Sequence, residues 1–218
     1  IARVISLIEN ETDLDIQSTK HDVPVIGITG PPGAGKSTLV DALIGEYVKV
    51  GKSIAVLCVD PSSVVHQGAI LGDRIRMSQW FNHPNVFIRS LSSRGSMGGL
   101  HPFIHKIKCF LQQCPFDIIL IETVGVGQSE IEIIRHADKT VLVLVPEAGD
   151  EIQLMKSGIV EVADLFVVNK TDRPGSNIFV TQLTNMLKSK TSPKKVCSTI
   201  ATKAEGVAEL KKMIDTLI

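Results

Sequence analysis

An α/β fold with a doubly wound, mostly parallel sheet is the architecture this sequence predicts, and three observations carry it. The runs Ser53–Val59, Asp117–Glu122, Val141–Val145 and Leu165–Asn169 are nearly continuous in apolar residues, the composition of strands buried on both faces. Stretches with a helical spacing of apolar residues alternate with these runs, and parallel neighbours require such crossovers. Each run ends in polar residues, so the polar motifs collect at the carboxyl ends of the strands, where open α/β sheets bind their ligands.

In chain order, Ile1, Val4, Ile5 and Ile8 are spaced for a helix, and a polar segment from Glu11 to Asp22 follows. Residues 1–22 therefore read as a helix and linker packed on the outside of a domain spanning 23–218. The apolar run Val25–Thr29 is the first strand, and a helix beginning after Thr38 continues through Tyr47 and Val48 to end near Gly51. Ser53–Val59 terminates in Asp60-Pro61. A loop to about Asn82 precedes the strand Val86–Arg89, the glycine-rich Arg94–Gly99 and the amphipathic helix Phe103–Gln113. Beyond the three remaining buried runs, Val196–Ile200 supplies a last strand and Glu205–Ile218 a closing helix.

Composition removes several classes of function. Lys plus Arg and Asp plus Glu both number 23, so no bulk electrostatic attraction to nucleic acid or to an anionic membrane is expected. No apolar run reaches the roughly eighteen residues of a membrane helix. Glu9, Glu11, Asp13 and Asp15 do not suit a signal or transit peptide, and the four dispersed cysteines read as buried thiols of a reducing compartment. A cytoplasmic location, or the mitochondrial matrix in a eukaryote, is expected. The six histidines show no metal-ligand spacing beyond the i, i+4 pair His101 and His105.

Between the first strand and its helix stands Gly30-Pro31-Pro32-Gly33-Ala34-Gly35-Lys36-Ser37-Thr38, the G-x-x-x-x-G-K-[ST] phosphate loop. Glycines let the backbone curl so that successive N–H groups point at phosphate oxygens, Lys36 adds a cation, and Ser37 offers a hydroxyl to Mg2+. A nucleoside triphosphate is the implied ligand. Asn169-Lys170-Thr171-Asp172 follows a buried strand and has the form used to choose guanine. The Asp172 carboxylate can accept from the ring N–H and the exocyclic amine together, a donor pair adenine lacks, while Lys170 lies along the base and Asn169 braces the loops. Within Thr199–Val207, the Ala201 N–H is a candidate donor to the guanine carbonyl.

Three further acids complete the candidate site. Glu122 ends a buried strand ahead of Thr123-Val124-Gly125-Val126-Gly127-Gln128-Ser129-Glu130; its carboxylate can hold Mg2+, and the Gly125 N–H can donate to the terminal phosphate, which would make this segment a switch. Asp60, and Asp73 in Gly72-Asp73-Arg74, can reach the metal and a catalytic water from the loop after the second strand, although acids in such places also serve as helix caps or surface charges. With Ser37 and phosphate oxygens these carboxylates make an octahedral oxygen site.

Together Gly30–Thr38, Val59-Asp60-Pro61-Ser62-Ser63, Ile70–Arg74, Ile121–Glu130 and Val167–Asp172 resemble the MeaB/ArgK GTPases, the family that includes the methylmalonic aciduria type A protein. The resemblance runs from about Ile5 to the end, and Glu122–Glu130 is its most specific string. It implies a P-loop NTPase fold of the SIMIBI type and a G-protein chaperone that loads adenosylcobalamin into methylmalonyl-CoA mutase, or a related acyl-CoA mutase, and protects it. It also implies GTP, GDP and Mg2+ as ligands. By position, Lys36 and Ser37 would serve phosphate and Mg2+, Asp60, Asp73 and Glu122 the metal and hydrolysis, and Asn169, Lys170 and Asp172 the base. Members usually carry a basic, glycine-rich segment where this chain has Val64–Ala69, and a homodimer is implied only where their dimerising arm is present. An older family label keeps a small-molecule kinase of the arginine/ornithine transport type as an alternative, and nickel insertion is a third reading.

Overall fold

Val, Ile and Leu at consecutive positions force a strand to find cover on both sides, and the computed structural model supplies it. The structure describes residues 1–10, 16, 23–60, 77–93, 100–123, 132–146, 161, 163–188 and 193–218, with only the backbone at Asp60. Seven strands form one sheet: β1 (Val25–Thr29), β2 (Ile54–Asp60), β3 (Val86–Ser92), β4 (Ile118–Glu122), β5 (Lys139–Leu144), β6 (Leu165–Val168) and β7 (Lys195–Ser198). Their spatial order is β3-β2-β4-β1-β5-β6-β7, and every pairing is parallel. The order reverses at β1, which lies between β4 and β5, so the topological switch point falls where the phosphate loop leaves the sheet.

Alternation along the strands sorts the core into two faces. Ile26 and Ile28, Val141 and Val143, and Leu165 and Val167 point to one side, beneath α2 (Lys36–Lys49) and, at the C-terminus, the helix Val207–Leu217. On the other side, Val25, Leu57 and Ile121 pack against α1 (Ala2–Glu9) and α3 (Ile104–Gln112), while Leu142, Phe166 and Val168 meet α4 (Ser176–Lys188). The C-terminal helix is α5. Helix α4 is not among the expected elements, although Phe179, Leu183 and Leu187 recur at i, i+4, i+8 and are its buried apolar residues.

Strand β3 runs three residues past the expected Arg89 and pairs with β2 along its whole length, from Ile54 opposite Val86 to Asp60 opposite Ser92. Polar Arg89 and Ser90 are tolerated because β3 is an edge strand whose charge is met: Arg89 pairs with Glu9 of α1, and its Nη2 donates to Ser6 Oγ at 3.0 Å. Ile5 and Ile8 are buried beneath α1.

All four cysteines are free, and Cys58, Cys109 and Cys197 are buried. Burial pushes the Cys197 thiol up to about 12, with Glu209 adding to the shift. Titration of the native protein with a disulfide reagent at pH 8 should therefore modify only the partly exposed Cys114 quickly, and all four thiols only after unfolding. The unfolded thiol ionises near 9 and the folded one near 12, so unfolding releases a proton in that interval and stability falls as pH rises through it.

Candidate functional site

The phosphate loop takes its shape from three left-handed glycines that a side chain could not replace without strain. Gly30 has φ 139°, and a Cβ there would sit 2.1 Å from the Val143 carbonyl oxygen on β5. Gly33 has φ 77° and Gly35 φ 88°. Gly35 caps α2, and a Cβ on it would lie 2.5 Å from Asn169 Nδ2, so its absence is what lets the base loop approach the phosphate loop. No side chain caps α2, which leaves the first N–H groups of the helix to an anion.

Lys36 and Ser37 open α2 and are both buried, at 6% and 7% exposure. Lys36 Nζ donates to Gly30 O at 2.8 Å and to Pro31 O at 3.1 Å, so the ammonium is folded back over the loop, and a cation buried at this depth would be costly without such partners. Ser37 Oγ donates to Glu122 Oε1 at 2.7 Å. This bond spans 85 positions of sequence, and the sheet creates it: β4 lies next to β1 with Glu122 in register with Ile28, so the strand-end carboxylate meets the first turn of α2. The adjacent Thr123 donates to Thr29 Oγ1 at 3.0 Å and its N–H to Ile28 O at 3.0 Å, which closes the two strand ends together.

Asn169, at 2% exposure, joins three loops. Its Nδ2 donates to Ala34 O at 2.9 Å, and its Oδ1 accepts from Thr199 Oγ1 and from the Ala201 N–H, each at 3.1 Å. The bracing role expected of Asn169 is thus visible atom by atom, and the Ala201 N–H expected to face a guanine carbonyl is donated to Asn169 instead. Asn169→Ala leaves a buried carbonyl, hydroxyl and N–H without their partner, and should cost about 2–4 kcal/mol of stability. Urea denaturation with and without GDP checks it, and a loss below about 0.5 kcal/mol would mean that the three loops are held by other means.

Lys170 adopts φ 60°, unusual for a residue with a side chain, and its Nζ donates to Gly33 O at 2.6 Å. Its aliphatic stem is thereby stretched between the base loop and the phosphate loop, where a flat ring can lie against it. A cavity of about 180 Å³ opens beside this stem, walled by Gly35, Thr38, Asn169, Lys170, Asp172, Arg173, Ile200, Ala201 and Thr202. Arg173, Ile200 and Thr202 were not among the residues expected in the site; adjacency to Asp172 and to Ala201 is the signal that could have found them.

Asp73 and Gly125 lie outside the described residues, as does the segment Val64–Ala69, and Asp60 is placed only as the last residue of β2. His105 and His136, far apart in sequence, have ring centroids 6.2 Å apart, with Cys109 Sγ 3.7 Å from His105 Nε2. Among the described residues no three His, Cys, Asp or Glu side chains are placed to hold a metal ion.

A phosphate loop leaves the switch-point strand, the Asn169-Lys170-Thr171-Asp172 loop stands two strands away on the same edge, and the fold is that of a P-loop GTPase, the class to which this protein belongs. Its family is narrower. The family model for the methylmalonyl-CoA mutase-associated GTPase MeaB matches residues 1–218, and the chain belongs to that family. A Pyrococcus horikoshii protein bearing a GTPase designation is 43% identical over 227 residues, covering 98% of this chain and 72% of the relative. The mitochondrial methylmalonic aciduria type A homolog of Caenorhabditis elegans is 43% identical over 148 residues, 67% of this chain and 37% of that protein. Among solved structures, a LAO/AO transport system kinase superposes with a TM-score of 0.73 at 25% identity, over 99% of this chain and 69% of its own.

Proposed function

We propose that this chain is a Mg2+-dependent GTPase switch that assists an adenosylcobalamin-dependent acyl-CoA mutase, methylmalonyl-CoA mutase or a related enzyme, in cofactor loading and protection. The observation that carries the GTPase mechanism is the buried Ser37–Glu122 hydrogen bond. A hydroxyl and a carboxylate 2.7 Å apart are hard oxygen donors of the kind Mg2+ takes together with substrate phosphates, so the residues present fit the ion. Bound there, it would neutralise charge on the terminal phosphates. The family and its nematode relative support the choice of client.

In this reading the N–H groups from Gly30 to Thr38 hold the phosphates, and Lys36 swings from the Gly30 and Pro31 carbonyls to the terminal ones. Asp60 and Asp73 orient the attacking water, and the Gly125 N–H donates to the terminal phosphate, so that hydrolysis releases the segment after Glu122. Asp172 reads the guanine edge, with Lys170 along its face. No arginine stands in the phosphate loop to stabilise the transition state, and slow intrinsic turnover follows. The protein works in the cytoplasm or the mitochondrial matrix, and a homodimer would depend on contacts outside the G domain.

Capture experiments with the protein locked in its GTP and GDP states test the client. Enrichment of a cobalamin-dependent mutase in one state supports the role, and its absence from both argues against it. Labelled GTP incubated with arginine or ornithine discriminates the kinase alternative, since a phosphorylated amino acid would replace inorganic phosphate as the product.

A further inference from the structure

The register of β1 with β4 ends at Ile28 opposite Glu122, and one residue further on the two strands are joined by their side chains. Thr123 Oγ1 donates to Thr29 Oγ1 at 3.0 Å, and the Thr123 N–H donates to Ile28 O, also at 3.0 Å. Both threonines are buried, Thr29 at 0% and Thr123 at 1% exposure, so water does not compete for this bond. Thr29 immediately precedes Gly30, where the phosphate loop begins, and Thr123 immediately follows Glu122, whose Oε1 accepts from Ser37 Oγ at 2.7 Å. Side chains alternate along a strand, so with Ile28 in the core under α2, Thr29 faces the other side of the sheet and meets Thr123 there. The pair therefore reaches the Glu122 carboxylate only through the main chain.

We infer that Thr29 and Thr123 are positioning residues, which set Glu122 at the height along the sheet where its carboxylate and the Ser37 hydroxyl can share a Mg2+ ion. The inference rests on the reading of Ser37 and Glu122 as ligands of that ion. Strand β1 leads into the phosphate loop and β4 ends in the carboxylate, so slip between these two strand ends changes the distance from metal ligand to phosphate directly. Mg2+ demands near-ideal octahedral geometry, and small displacements of one oxygen are felt. Neither threonine lines the cavity beside Lys170, so the pair acts on the metal and not on the nucleotide held without it.

The test is calorimetric titration of the full chain with a non-hydrolysable GTP analogue, in Mg2+ and in EDTA, the ratio of the two affinities giving the gain due to the ion. The variants are Thr123→Val, Thr123→Ser, the double variant Thr29→Val with Thr123→Val, and Glu122→Ala, with GTP hydrolysis and thermal midpoint measured beside them. Thr123→Val leaves a buried hydroxyl on Thr29 without its donor and should lower the midpoint, whereas the double variant removes both hydroxyls and should return it toward the parent. In both, the gain from Mg2+ should fall about tenfold while affinity in EDTA stays within about twofold. Thr123→Ser keeps the donor and should keep most of the gain. The single variant carries the same prediction should the double variant fold poorly. A Glu122→Ala protein with the parent's gain, or a parent with none, would remove the Mg2+ site from Ser37 and Glu122, and the inference with it. Loss of the gain in Glu122→Ala beside a parental gain in Thr123→Val or the double variant would overturn the positioning role alone, as would a loss that Thr123→Ser shares.

Discussion

Lys36→Ala protein binds GTP weakly and hydrolyses it at least about 10²–10³-fold more slowly than the parent, the loss typical of removing one preorganised donor to transition-state charge. The lysine opens α2 at 6% exposure, and its ammonium lies 2.8 Å from Gly30 O, inside the curl of backbone where phosphate oxygens would be held. A cation so placed meets charge that grows on the terminal phosphate without a shell of water to shed, which is why its worth is larger in the transition state than in the bound substrate. Lys36→Arg should not rescue. The guanidinium is a planar fork and would have to fit the same buried space with its wider head. The comparison is made at saturating GTP, with the thermal midpoint of each variant as a control for folding. Hydrolysis retained by Lys36→Ala would remove the loop Gly30–Thr38 from the mechanism.

Much of this architecture is legible in the sequence because its cause is local. A strand covered on both faces is apolar at nearly every position, so the runs now seen as β1, β2, β4, β5 and β6 are visible as nearly continuous apolar stretches. Helix α4 was not, since its buried stripe of Phe179, Leu183 and Leu187 is interleaved with Thr181, Asn185 and Thr184 and opens after Gly175, features that read as a loop. The last three residues of β3 escaped for a non-local reason: Ser90, Leu91 and Ser92 are strand because they pair with Cys58, Val59 and Asp60 of β2. The site divides the same way. Lys36, Ser37, Glu122, Asn169, Lys170 and Asp172 announce themselves by motif, but what they do to one another depends on the sheet. Asn169 reaches Ala34 across 135 positions, Ser37 reaches Glu122 across 85, and Asp41 reaches Trp80 across 39, distances over which no pattern of residues carries a contact. Topology brings the first two pairs together, by placing β1 between β4 and β5.

Asp172→Asn moves base preference from guanine to xanthine. The carboxylate is on the surface of the cavity that Asn169, Lys170 and Arg173 help to wall, with both oxygens able to accept, and guanine presents two donors side by side, the ring N–H and the exocyclic amine. An asparagine keeps one acceptor and turns the other into an NH2 group, so that one hydrogen bond survives and the second becomes a donor facing a donor. Losing a charge-assisted bond and leaving an amine opposed under the base should cost about 3–4 kcal/mol, or about 10²–10³-fold in GTP affinity. Xanthine carries a carbonyl in place of that amine and can accept from the new NH2, so XTP should recover much of what GTP loses. The backbone need not move, because the bonds that shape this loop belong to Asn169, to Lys170 and to the Thr171 N–H, which donates to Thr199 O at 3.2 Å. Competition of GTP and XTP for a fluorescent nucleotide, in parent and variant, measures the exchange directly. A variant that weakened both nucleotides equally would point to a damaged loop, and one that still preferred GTP would show that Asp172 does not read the base.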